Sequence, residues 1–249
     1  MVSRIAACIR AEFPYVSPSS TTLSAGRWCL VLGSVALAVV LLLFMPALFQ
    51  EYYLTVPVSI LLFSIVPIIT FSIVSRDNGA GLFRPVTRKV IGQSIGFGVL
   101  TFIVSVSSAM LMTQVMETAP NAGVHALGAM SAEQKIRFFL FSIPQLFGEE
   151  VITILPFLAI LYCCLHVSNA SKPQAVLLAW VITAVWFALI HLPAYNWNLL
   201  QVLWGIGIAR LLLTAVFIIT KNLWVSTGAH ITNDWLMFGI SLIASNQET

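Results

Sequence analysis

The sequence predicts an all-α fold, a polytopic transmembrane bundle of about seven spans, with a polar site buried among spans four, five and seven. Composition is the first observation behind this. Of 249 residues, 59% are hydrophobic and 8% charged, whereas a soluble domain carries roughly 25% charged residues. The second is that the apolar residues come in runs of the roughly 20 residues that a helix needs to cross a hydrocarbon core. The third is that neither strand alternation nor a soluble domain stands out between those runs.

The runs fall at 28–49, 54–75, 90–113, 138–165, 175–192, 199–219 and 223–244. Arg4, Arg10 and Arg27 precede the first, which is longer than a signal-peptide core and lacks a small-residue cleavage site, so it reads as a retained span. The third contains GQSIGFG, with Gly92 and Gly96 at the spacing of close helix packing. The connection 114–137 is the longest, and Pro120, Asn121 and Gly123 mark a loop there. It ends in SAEQ from Ser131, which has the form of a capping box opening a helix that feeds span four.

Basic residues set the orientation. With the N-terminus in the cytoplasm, Arg4, Arg10, Arg27, Arg76, Arg84, Arg88, Lys89, Lys172 and Lys221 lie inside, and only Lys135 and Arg137 outside. A compact chain of this kind suits a bacterial cytoplasmic membrane. The net charge of +3 is too small and too dispersed for a nucleic-acid partner. Cys8, Cys29, Cys163 and Cys164 have no metal-ligand spacing and imply no disulfide framework; the adjacent pair reads as small buried hydrophobes.

Ionised groups are costly in hydrocarbon, so those within spans are site candidates. Span four holds Glu149 and Glu150 inside QLFGEEVITILPF, between Pro144 and Pro156, prolines that can free backbone carbonyls and admit water. Span five ends at His191, shallower than the rest, with Phe187 one turn below it. Span six carries Arg210. Span seven carries His230 and Asp234, four apart and so on one helix face. Successive glutamates diverge by about 100° around a helix, so Glu149 and Glu150 cannot face one partner equally. A glutamate can pass a proton from water to a leaving amine, and a histidine can donate to the oxyanion. Peptide hydrolysis without a covalent nucleophile follows from such a set. His125 and His166 read as solvated. The tryptophans read as interfacial anchors or packing groups, and Asn196–Trp197–Asn198 as a turn.

EEVITIL, FALIH and HITND resemble the three signatures EExxxR, FxxxH and HxxxN of the CAAX protease and bacteriocin-processing family, in that order and on separate spans. The resemblance covers roughly 138–240. It implies an intramembrane endopeptidase of the type II CAAX prenyl endopeptidase kind, acting on a membrane-associated peptide or protein, with membrane lipid as its other partner. It further implies Glu149 as the water-activating base assisted by His191, Glu150 as support, and His230 with Asp234 at the oxyanion. The chain then divides into a cytoplasmic segment 1–27, N-terminal helices and loops 28–137, the catalytic core 138–244 and a tail 245–249. Two positions depart from the pattern: Ile154 stands where the motif arginine would fall, and Asp234 replaces the asparagine. An ionised Asp cannot donate to an oxyanion as Asn can, whereas a protonated Asp234 can. Asn233 is an alternative amide, and Arg210 a replacement arginine that would pair with Glu150 or Asp234.

No cofactor is expected. The metal alternative is zinc on His191, His230 and Glu149, but no HExxH occurs in the chain. Two further classes remain open: an inactive relative acting by binding or peptide immunity, and a proton-coupled transporter, for which no inverted repeat of broken helices is visible.

Overall fold

The computed structural model describes residues 7–17, 22–48 and 52–245. Every apolar run becomes a helix, and no strand occurs among the described residues. The helices are α1 (Ala25–Leu48), α2 (Tyr52–Val74), α3 (Arg88–Val115), α4 (Ala122–Ala129), α5 (Ala132–His166), α6 (Lys172–Leu189), α7 (Gly207–Thr220) and α8 (Leu223–Ser245). A helical turn, Leu199–Gln201, and a π-helical turn, Val202–Ile206, run directly into α7. Short α4 lies within the connection expected to be a loop. The SAEQ capping box forms at the start of α5: Ser131 Oγ accepts from the Gln134 amide at 3.3 Å, and the Ser131 amide donates to Gln134 Oε1 at 2.8 Å.

The chain is a multi-pass membrane protein. Six helical segments among the described residues are long and apolar enough to cross a membrane, one fewer than expected. α8 has the length, at 23 residues. Its polar stretch, with Ser226, Thr227, His230, Thr232, Asn233 and Asp234, lowers its hydropathy below that of a self-sufficient span.

α5 is the axis of the bundle. In its most apolar window 78% of residues are buried inside the protein, against 22–44% for the other five spans. It packs on α1, α2, α6 and α8, while α8 lies along α3. Close approach to α2 is set by Gly148, where a Cβ would lie 2.6 Å from the Phe63 ring and 2.7 Å from Ser64 Oγ. Ser64 Oγ also donates to the Pro144 carbonyl at 2.5 Å. These contacts fix α5 immediately before its two glutamates. On α3 the packing glycine is neither Gly92 nor Gly96, where an added Cβ would meet nothing within 4 Å. The stripe that meets α8 is Ser94, Gly98 and Thr101. A Cβ on Gly98 would come within 2.7 Å of the Ala229 carbonyl, and one on Gly228 within 2.6 Å of Ser94. The GQSIGFG spacing thus points at the right helix but at its outer face.

At the basic end of the bundle, residues 7–17 dock onto the helices. Phe13, Tyr15 and Val16 are buried; the Tyr15 hydroxyl meets the Asp77 carboxylate at 2.8 Å and accepts from the Gly81 amide at 2.7 Å. His166, expected to be solvated, donates from Nε2 to the Val16 carbonyl at 2.9 Å. The side chain of His125 lies outside the described residues, as does Arg4.

Candidate functional site

Glu149 and Glu150 are both buried on α5, yet they face different surroundings. Glu149 lines a cavity of about 580 Å³ together with His191, Arg210, His230, Asn233 and Asp234. Its Oε1 accepts from Gln145 Nε2 at 3.2 Å, one turn back. Glu150 is fully buried beside that cavity, and its Oε1 accepts from Arg210 Nη2 at 2.5 Å. Of the two acids expected for Arg210, Glu150 is the one that pairs with it. The guanidinium is also fully buried and stands 4.8 Å from the centre of the Phe187 ring, a cation–π distance.

His230 resolves the divergence of the two glutamates. Its Nδ1 lies 3.0 Å from Glu150 Oε1, while Nε2 lies 3.7 Å from Glu149 Oε2 and 3.6 Å from Asp234 Oδ1. One imidazole therefore touches three carboxylates through its two nitrogens. The i,i+4 spacing of His230 and Asp234 on α8 supplies the last of these contacts. Asn233 Nδ2 donates to Asp234 Oδ1 at 2.7 Å, so this amide is committed to the neighbouring carboxylate.

His191 arrives from the other side. α6 ends at Leu189, and His191 follows Ile190 as the N-cap of the short 3₁₀ helix Leu192–Tyr195. Its Nδ1 donates to the Phe187 carbonyl at 2.8 Å, and the two rings stack with centroids 4.6 Å apart. A carbonyl can only accept, so Nδ1 carries the proton and Nε2 is the nitrogen available to the cavity. Among the described residues His191 is in ion-pair contact with no carboxylate, so it shares the cavity with the acids without joining their contact network. Likewise, no group of three or more His, Cys, Asp or Glu is arranged to hold a metal ion among those residues.

Residues 132–236 match the family model "Type II CAAX prenyl endopeptidase Rce1-like". The match covers less than half of the chain, and this segment is similar to that family. The match begins at the start of α5 and contains all three signature segments and the cavity wall they build. No curated protein matches the chain, and no solved structure does.

Within the matching segment, the position of the motif arginine is an apolar one. Ile154 is fully buried among apolar side chains of the main hydrophobic core. One turn earlier, Glu150 receives its guanidinium from α7 instead. The π-turn Val202–Ile206 lies just before Arg210; such turns shift the register of the residues that follow. Gln145 and Tyr195 are among the cavity residues that the sequence reading did not single out. Each is four residues from a recognised group, Gln145 before Glu149 and Tyr195 after His191, so helical spacing was the available signal. Gln201 is buried and holds the loop after α3, donating to the Ala119 carbonyl at 2.7 Å and accepting from its amide at 2.8 Å.

Proposed function

We propose that this chain is an intramembrane endopeptidase in which Glu149 activates water against a peptide bond of a membrane-associated peptide or protein. The observation that carries the reading is the split environment of the glutamate pair. Glu149 faces a cavity large enough for a peptide segment, while Glu150 is withdrawn into an ion pair with Arg210. At family level, a type II CAAX prenyl endopeptidase activity agrees with that division.

In the proposed reaction, water sits between Glu149 and the free Nε2 of His191. Glu149 takes one proton as the water oxygen bonds to the scissile carbonyl carbon, and the carbonyl electron pair moves onto oxygen. The resulting oxyanion is met by the His230 and Asp234 side of the cavity. Collapse re-forms the carbonyl and breaks the C–N bond, and Glu149 returns its proton to the leaving nitrogen. A new carboxyl group and a new amine result. Glu150, held by Arg210 and His230, fixes the imidazole and supplies the fixed charge behind it. Phe187 orients His191 through its carbonyl and ring.

The proposed chemistry is metal-free, and the catalytic core is the segment 138–244. Membrane lipid surrounds the bundle. The excess of basic residues in the segments assigned inside supports a cytoplasmic N-terminus, and a compact chain suits a bacterial cytoplasmic membrane. Comparative proteomics of membrane fractions from cells carrying wild type or Glu149→Ala tests the function. A precursor that stays uncut in the variant is the expected result; identical membrane proteomes would contradict it. Activity that survives strict chelation supports the metal-free form, and loss restored by added zinc would count against it.

A further inference from the structure

We propose that the Tyr195 hydroxyl supplies the neutral hydrogen-bond donor to the oxyanion that Asp234, standing in for an asparagine, does not. The proposal rests on the endopeptidase reading and deepens the same site.

An oxyanion forming in this cavity needs preorganised donors, and most candidate donors are already engaged. Gln145 donates to Glu149, and Asn233 to Asp234. Arg210 gives Nη2 to Glu150 and keeps Nε and Nη1 buried without a hydrogen-bond partner, and His191 Nδ1 is bound to the Phe187 carbonyl. Asp234 accepts from Asn233 and faces His230 Nε2 at 3.6 Å, the surroundings of an accepting carboxylate.

Tyr195 ends the 3₁₀ turn that begins just after His191, so it enters the cavity from the wall that presents that imidazole. Its phenol is hydrogen-bonded to the Asn121 side chain, from the loop after α3, and lies within electrostatic reach of Asp234 and Glu149. In the proposed arrangement the Asn121 amide N–H donates to the phenol oxygen. The phenolic proton is then left to point into the cavity. Burial, with the two carboxylates adding to it, raises the phenol above its ordinary pKa, so the group keeps the proton it has to donate. Fixed between Asn121 and the turn, it needs no reorganisation when charge develops.

The test uses full-length protein in proteoliposomes and a farnesylated peptide ending in a CAAX tetrapeptide. Tyr195→Phe is expected to lower kcat by about 100-fold, the usual cost of one oxyanion donor, with KM nearly unchanged. In an Asp234→Asn background, where the amide can donate, the same change is expected to cost under about tenfold. A kcat within about twofold of wild type, or an equal loss in both backgrounds, would overturn the proposal. Should Tyr195→Phe not fold, 3-fluorotyrosine at 195 keeps the shape and strengthens the donor; it must raise kcat, and an unchanged kcat overturns the assignment. Glu149→Gln separates the two layers. If it is inactive while Tyr195→Phe is fully active, the Tyr195 proposal alone falls. If Glu149→Gln cleaves as wild type does, the endopeptidase reading falls and takes the proposal with it.

Discussion

α7 carries a buried cation at each end, and the two regions around them treat charge in opposite ways. Arg210, on the cavity side, is matched by a carboxylate 2.5 Å away and by the Phe187 ring. Lys221, in the left-handed cap position at the far end, has no carboxylate contact among the described residues. Its Nζ donates to the carbonyls of Cys8 and Ile218 and sits 3.4 Å from the centre of the Phe13 ring. Carbonyls at a helix C-terminus and an aromatic face attract a cation but do not neutralise it. Burial, with Lys172 and Arg84 nearby, lowers the Lys221 pKa to about 7. One region therefore holds a paired charge beside the cavity, and the other holds a titratable charge as part of a docking contact for residues 7–17.

The largest effect should come from breaking the matched pair. Arg210→Met leaves Glu150 buried without its cation and should cost about 3–5 kcal/mol, read as a lower melting temperature in detergent. Adding Glu150→Gln removes the stranded charge, so the double variant should recover most of that stability. Ile154→Arg offers a sharper form of the experiment, because it returns a guanidinium to the motif position one turn from Glu150. Alone it should destabilise, by placing a second buried cation against one carboxylate. In the Arg210→Met background it should restore part of the loss, and failure of any rescue would show that Ile154 lies beyond reach of Glu150.

A smaller loss is expected where packing, and not charge, positions the glutamates. Gly148→Ala forces a methyl into the Phe63 ring and Ser64 and should cost about 1–3 kcal/mol. Gly92→Ala meets nothing within 4 Å and should stay within about 0.5 kcal/mol of wild type. Equal melting temperatures for the two would contradict the close approach of α5 to α2.

Lys221 gives the smallest and the most pH-dependent effect. Its folded pKa lies below the ordinary lysine value of 10.5, so between pH 7 and about 10.5 the unfolded chain binds the extra proton. Stability therefore rises with pH across that window, and the lysine's penalty is complete below it. The difference in melting temperature between wild type and Lys221→Met should move in favour of wild type from pH 7 to pH 10. A flat difference would contradict the uncompensated burial of this side chain.

The same contrast explains what the sequence made legible. Long apolar runs specify helices because a membrane leaves the backbone little alternative, and all seven runs fold within a few residues of their expected limits. The site acids and histidines stood out because ionisable groups inside such runs are rare. Pairings within one helix, such as His230 with Asp234, followed from spacing. Pairings between helices did not: the choice of Glu150 over Asp234 by Arg210 is a contact between α7 and α5, which spacing within one helix cannot reveal. Gly98 was missed because its partner, the Ala229 backbone, is distant in sequence. α8 exceeded its hydropathy because its polar face is covered by α3 and α5. Lys221 looked like an ordinary inner-loop charge, since nothing local reveals that residues 7–17 fold back over it.

The central claim is that the adjacent glutamates have different tasks, Glu149 in the reaction and Glu150 in holding the charge behind it. The most direct measurement compares Glu149→Gln with Glu150→Gln for both peptide cleavage in proteoliposomes and thermal unfolding. Glu149→Gln should keep the wild-type melting temperature within a few degrees and lose at least about 100-fold in kcat. Glu150→Gln, which strands the Arg210 guanidinium, should lower the melting temperature markedly. A Glu149→Gln protein that cleaves at the wild-type rate, or that unfolds as readily as Glu150→Gln, would contradict the account.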